Sequence, residues 1–199
     1  MIVDIAVFDG LDELDVVGPY EVLQSAARLG ADLDTRLVSP LGTHEVTGAF
    51  GLRIGVNGHP RENAEMILVP GGGWTSGAPV GVGAEIANKN WEQILLDARA
   101  RGAVIIGICT GTMLLAHAGL LAGRAVSTHH RARADLEAFD VTVLADRVVD
   151  DGDLITSGGV TSGIDCALWI VERFYSRELA DAVAERMEYE RVAPQRAAH

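Results

Sequence analysis

The sequence predicts one α/β domain over residues 1–199, a three-layer sandwich with a mainly parallel sheet covered by helices on both faces. Two observations predict it. Short apolar runs alternate along the whole chain with segments of helical spacing, the order expected of repeated strand-helix-strand units. The most strand-like of these runs, Ala103 to Ile108 (AVIIGI), is apolar without alternation, as strands buried on both faces are. No internal repeat, low-complexity stretch or linker divides the chain, and its 199 residues suit a single core.

The elements follow in order. Ile2 to Phe8 (IVDIAVF) reads as a central strand, and Pro19 to Leu29 has helical spacing through Tyr20, Leu23, Ala26 and Ala27. Asp34 to Ser39 is the second strand. Pro40 to Val56 holds two β-prone pieces, HEVTG and GLRIGV, separated by glycines, and suits a hairpin at the sheet edge. Met66 to Val69 (MILV) is a buried strand ending in the turn Pro70-Gly71-Gly72-Gly73. Asn90 to Arg101 is helical, and the 103–108 strand stops abruptly at Cys109 before the apolar helix Thr110 to Leu121. Ala125 to Thr128 reads as a short strand, Arg131 to Phe139 as a short helix, and Val141 to Val143 with Arg147 to Asp150 as a strand pair. Leu154 to Ser157 is the last strand, followed by GGVTSG, an apolar helix from Ile164 to Phe174 and an amphipathic helix from about Glu178 to Tyr189.

Composition narrows the function. A net charge of −12 disfavours a nucleic-acid partner, which needs a basic stripe. Apolar residues are 48% of the chain, yet none of their runs approaches the roughly 18 residues that cross a bilayer, so no membrane partner is expected. The N-terminus runs straight into a strand without a basic segment or a small-residue cleavage site, and a cytoplasmic location is the expectation. Cys109 and Cys166 lie far apart and are expected to be free thiols; no Cys/His cluster has zinc spacing.

Gly107-Ile108-Cys109-Thr110-Gly111 places a cysteine between an apolar strand and an apolar helix, the setting in which a serine forms a nucleophile elbow. Free cysteine is also among the most buried residue types. What sets Cys109 apart is that strand, glycines and helix coincide around it. Amide groups of the first helical turn face a sulfur held there, so its pKa is expected to fall below the ordinary ~8.5. Cys166, inside GIDCALWIV, reads as core. The turn Gly71-Gly72-Gly73 follows a second parallel strand and shares a crevice with Cys109, where its amides can meet an oxyanion. In the acidic loop after the first strand, Asp15 is flanked by apolar residues. It is read either as a carboxylate turned inward, with a raised pKa, or as a helix cap or surface charge. Asp12 and Glu13 are expected to face solvent. His129 and His130 follow a short strand whose end can face the crevice. His117 lies two helical turns beyond Cys109, ~12 Å along the axis, too far for proton transfer.

With these pieces placed, the chain from Ile2 to about Tyr189 resembles the ThiJ/PfpI superfamily, and within it the isonitrile hydratase branch. The resemblance rests on LDVVGPYEVL (Leu14 to Leu23), ILVPGG (Ile67 to Gly72), GICTGTMLLAHAGLLAGRAVSTHH (Gly107 to His130) and TSGGVTSGIDCAL (Thr156 to Leu168). It implies a flavodoxin-like sheet, a homodimer and no metal or organic cofactor. It also implies that Cys109 is the nucleophile and Asp15 its acidic partner. Thr110 matches the hydratase branch, where many other members carry histidine. His129 matches a family histidine in T-H-W, whereas His130 replaces the aromatic residue. Glutamine amidotransferases share the elbow but need a downstream His-x-Glu, and after Thr156 the only histidine is His199. The activity implied is hydration of a small isonitrile to an N-substituted formamide, with Cys109, Asp15 and Thr110 catalytic and Gly72, Gly73 and His129 around the substrate. Glyoxalase- or deglycase-like attack on a 2-oxoaldehyde and a non-catalytic oxidation sensor are the alternatives.

Overall fold

The computed structural model describes residues 1–74 and 76–191 and the backbone of 195–196. The main sheet takes β1 (Ile2–Ala6), β2 (Asp34–Val38), β5 (Met66–Val69), β6 (Val104–Ile108), β9 (Val148–Asp150), β10 (Leu154–Ser157) and the two-residue β11 (Gln195–Arg196). Their order is β11-β9-β10-β6-β5-β1-β2, parallel except for the antiparallel pair β9 and β10. Helices α1 (Glu13–Arg28), α6 (Ser162–Phe174) and α7 (Arg177–Arg186) pack together, while α2 (Val82–Asn88), α3 (Glu92–Ala100) and α4 (Gly111–His117) form a second group. A short α5 (Arg133–Leu136) follows a 3-10 turn at His130–Ala132. The helix-covered parallel sheet is the predicted architecture. Ile5, Leu68, Ile106 and Ile108 are fully buried at its centre. Among the described residues no helix is long and apolar enough to cross a membrane.

Five details differ from the sequence reading. Helix α1 begins at Glu13, capped by the Asp12 carboxylate on the Leu14 amide, so Pro19 lies inside it. The Gly18-Pro19 pair mimics a helix start, where proline is favoured, but serves helix contact. A Cβ on Gly18 would stand 3.0 Å from Ile164 Cγ1, and one on Gly163 would stand 3.3 Å from Pro19 Cγ, so α1 and α6 meet through two glycines.

The hairpin β3 (Glu45–Thr47) and β4 (Arg53–Gly55) forms as expected, but as a separate two-stranded sheet. Hydrogen bonds from Gly10 N to Thr47 O and from Ala49 N to Leu11 O tie it to the loop after β1. The segments 141–143 and 148–150 do not pair with each other. β8 (Val141–Val143) joins β7 (Arg124–Val126) in a small parallel sheet, while fully buried β9 enters the main sheet beside β10. Helix α4 ends at His117 rather than Leu121, because Gly119 at φ 75 breaks it and Leu120 N bonds back to Leu115 O. The short α2, whose N-cap Gly81 sits at φ 94, has no counterpart in the sequence reading.

Candidate active site

Parallel neighbours β1, β5, β6 and β10 all end at one pole, and the loops leaving them build the site. Cys109 follows β6 at φ 56, a left-handed conformation that costs a non-glycine residue about 1–2 kcal/mol. Its surroundings fix it there. The Cys109 amide donates to Ser157 O (3.2 Å) and Gly158 O (3.1 Å), and its carbonyl accepts from Thr128 Oγ1 (2.8 Å). A Cβ on Gly107 would lie 2.8 Å from Thr112 Oγ1, and one on Gly111 would lie 2.2 Å from Val69 O. Both glycines of the G-x-C-x-G pattern are therefore demanded by close approach. Cys109 is only 4% exposed.

The amides of Thr110 and Val160 hydrogen-bond the sulfur and favour its charged form. Burial and the negative charge of Asp15 oppose them and win, so the thiol is pushed up rather than down. This corrects the expectation drawn from the elbow alone, which counted the helical amides and left out desolvation and the facing carboxylate.

Asp15 is fully buried in the first turn of α1. Its Oδ2 accepts from Gly71 N at 2.9 Å. Oδ1 is buried with no hydrogen-bond partner among the described residues, and Cys109 is the side chain whose thiol acts on the carboxyl group. Burial, with Asp12 as a second negative neighbour, raises the Asp15 carboxyl well above the ordinary carboxylate range. Thiol and carboxyl thus form one coupled pair, in which a charge on either holds the proton on the other.

The glycine turn is more engaged than its sequence suggests. Gly71 N serves Asp15, and Gly72 N donates to Thr110 Oγ1 at 3.0 Å, so these two amides are committed within the site. The hydroxyl of Thr110 accordingly ties β5's turn to β6's. A side chain at Gly71 would stand 2.6 Å from Thr110 N and 2.9 Å from Cys109 Cβ. Gly72, at φ 126, would meet Gly10 O at 2.4 Å. Gly72 and Gly73 line a cleft of about 670 Å³ with Asp12, Thr47, Phe50 and Val80; Phe50, at the hairpin tip, is 86% exposed. Cys109 does not line this cleft; it lies against Gly71, the residue before the cleft's Gly72.

Two carboxylates read as solvated are not. Asp12 is half-buried, and burial raises its pKa. Glu13 Oε1 accepts from Phe50 N (2.7 Å) and Leu52 N (3.3 Å) and so holds the hairpin tip. His129 is half-buried with its pKa lowered by burial first and then by His130 and Arg131, while the Asp12 charge acts the other way. Its ring packs on His130, centroids 4.3 Å apart. His117 bonds Met113 O through Nδ1 and packs edge-on against Phe139, away from the sulfur. Cys166 is fully buried core, its thiol pushed up to about 12 by burial.

Val160 was not singled out from the sequence. It holds φ 45, a genuine outlier for a β-branched residue, and its amide reaches the Cys109 sulfur. The sequence signal was the GGVTSG run after a parallel strand at the same pole as Cys109, read only as a connection. Gly159 beside it leaves no room for a Cβ, which would lie 2.3 Å from His129 Cδ2.

Residues 1–173 match the DJ-1/PfpI family. The chain belongs to that family. It is 31% identical over 193 residues to a Pseudomonas putida protein named isonitrile hydratase, covering 94% of this chain and 78% of that one. Its fold is similar to that of a ThiJ/PfpI family protein from Pseudomonas syringae, with a TM-score of 0.85 and 26% identity over 98% of this chain and 77% of that one. Drosophila melanogaster DJ-1beta shares the fold at TM-score 0.82 and 20% identity, over 95% of this chain and 98% of that one. In this DJ-1/PfpI chain a cysteine elbow lies beside a buried carboxyl, and Thr110 directly follows the cysteine.

Proposed function

We propose that this DJ-1/PfpI protein hydrates an isonitrile R–N≡C to the formamide R–NH–CHO. The observation that carries the proposal is the fully buried Asp15 carboxyl, anchored by Gly71 N and electrostatically coupled to the buried Cys109 thiol. No histidine is needed as base, and the similarity to the Pseudomonas putida protein supports the same reading.

The reactive form of the pair is thiolate with protonated Asp15, the state in which the Thr110 and Val160 amides stabilise the sulfur charge. The thiolate adds to the terminal isonitrile carbon, forming the C–S bond, and Asp15 delivers its proton to that carbon to give the thioimidate R–N=CH–S. Water then adds across the C=N bond, oxygen to carbon and hydrogen to nitrogen, with the Asp15 carboxylate as general base. Collapse breaks the C–S bond, returns the hydroxyl proton to Asp15 and releases formamide and thiolate. Atoms balance: the formyl hydrogen comes from Asp15, and the oxygen and the N–H hydrogen come from water.

The test is steady-state turnover of simple alkyl and aryl isonitriles. Wild type should hydrate them and Cys109→Ala should not. No turnover by wild type, or equal turnover by the variant, overturns the reading.

A further inference from the structure

Beside the cysteine lies a second, smaller cavity of about 230 Å³, walled by Thr128, His129, His130, Arg133, Arg147 and Val160 among others. Its charged lining is Arg133, Arg147 and Asp146, and Arg147 is already held by Asp165. Two of its walls touch the reacting residue directly. Thr128 Oγ1 donates to Cys109 O at 2.8 Å, and the Val160 amide bonds the sulfur.

The arginines of this protein show what Arg133 lacks. Arg53, Arg61 and Arg147 each direct Nε to a carboxylate, at 2.6 Å to Glu45, 2.7 Å to Asp4 and 2.7 Å to Asp165, and Arg124 does the same to Asp151. Arg53 adds Nη2 to the second oxygen of Glu45 at 2.9 Å, the two-pronged fork that suits a planar carboxylate. At Arg133 the same edge has Nη2 on Ala145 O at 3.3 Å, a long contact, and Nε buried with no hydrogen-bond partner among the described residues. A buried donor left unpaired is costly, and a charged one more so. The acids nearby do not serve it: Asp165 holds Arg147, Asp135 accepts from Trp74, Asp12 caps α1, and Asp146 lines the cavity without reaching Arg133 Nε.

We propose that this cavity is a carboxylate subsite, and that the R group of the isonitrile carries a carboxylate which Arg133 grips while the isocyano carbon meets Cys109. This rests on the hydration reading for its substrate, but the subsite itself does not. One arginine fork, 230 Å³ of space and a half-buried histidine suit a small carboxylate better than a polyphosphate, which would also face the negative field of Asp12.

Two measurements test it. In the first, N-formylglycinate and its neutral methyl ester are titrated into the protein while the Arg133 Nε–H and Val160 amide resonances are followed by two-dimensional NMR. The carboxylate should shift both and bind about tenfold tighter than the ester, the scale of one charge-assisted fork. In Arg133→Gln that preference should vanish, and Arg133→Lys should restore part of it. In the second, kcat/KM is compared for isocyanoacetate and methyl isocyanoacetate in wild type and Arg133→Gln, with the same preference expected and lost. No resonance shift, or a carboxylate preference unchanged in Arg133→Gln, overturns the subsite even if neutral isonitriles are hydrated. Shifts without turnover of either isonitrile leave the subsite standing and bring down the hydration reading instead.

Discussion

At the scale of single residues the chemistry lies in one contact, and its two members have different sequence signatures. Cys109 is legible because elbow, glycines and strand are local in sequence. The direction of its pKa is not, because burial and a carboxyl 94 residues earlier in the chain decide it. Removing the Asp15 charge should therefore lower the thiol pKa in Asp15→Asn, read as thiolate absorbance against pH with Cys109→Ser subtracted. A thiol that titrates alike in both proteins would show the pair uncoupled. The same variant should lose about 10²–10⁴-fold in kcat, since asparagine keeps the Gly71 hydrogen bond but cannot cycle a proton. Asp12→Asn should keep most activity because asparagine caps a helix as well as aspartate does. Asp15 also sets a pH signature on stability. Its folded pKa is raised, so from about pH 4 upward the unfolded chain gives up a proton that the native state retains, and stability falls with rising pH until the folded carboxyl ionises. Asp15→Asn removes that slope. Its melting temperature should match wild type near pH 3.5 and exceed it by a few degrees at pH 8, and a lower value at pH 8 would contradict the burial argument.

At the scale of elements, the turns matter more than the strands and were harder to read. Periodicity located the buried strands of the main sheet, yet it could not show that Gly18 and Pro19 belong inside a helix, since their reason is the opposing α6 rather than their own neighbours. Likewise GGVTSG carries no periodic signal, though it places Val160 in a left-handed conformation over the sulfur. Glycine adopts that conformation freely, while valine bears about 1–2 kcal/mol of strain. Val160→Gly should therefore leave the melting temperature unchanged or raise it, where a valine-to-glycine change in an ordinary site lowers it. Its activity reports separately on how firmly the amide must be held. Gly71→Ala is the opposite case. Its methyl group meets backbone at 2.6 Å, so neither side can yield cheaply. A loss of about 1–3 kcal/mol, measured by urea unfolding, should accompany loss of turnover.

At the scale of the whole molecule, activity and stability occupy different parts of the sheet. The site gathers at the carboxyl ends of β1, β5, β6 and β10, where strained backbone and a buried carboxyl cost stability. On the same sheet, away from that pole, Arg61 joins elements far apart in sequence. It holds the Asp4 side chain on β1 through its own backbone N and Nε, both at 2.7 Å, and bonds the Val3 and Asp34 carbonyls with Nη2 at 2.8 and 3.0 Å. Its Nη1 reaches Asp34 Oδ2 at 2.5 Å, so one side chain cross-links β1, β2 and the loop before β5. Sequence alone gave no sign of this, since an aspartate inside IVDIAVF looks like a flaw in a buried strand until its partner is seen. Asp4 is completely buried, so truncating Arg61 leaves a carboxylate in the core without its counter-charge. Breaking a buried pair from one side costs about 3–5 kcal/mol, whereas replacing both members by apolar residues of similar volume is often neutral. Arg61→Ala should therefore be strongly destabilised in urea, and Asp4→Leu with Arg61→Met should regain most of the loss. Both proteins, assayed below their unfolding transitions, should retain wild-type kcat per folded molecule, because no Arg61 contact reaches Cys109 or Asp15. A double variant no more stable than Arg61→Ala would mean that the backbone bonds of Arg61, rather than the buried charge, hold this edge of the sheet together.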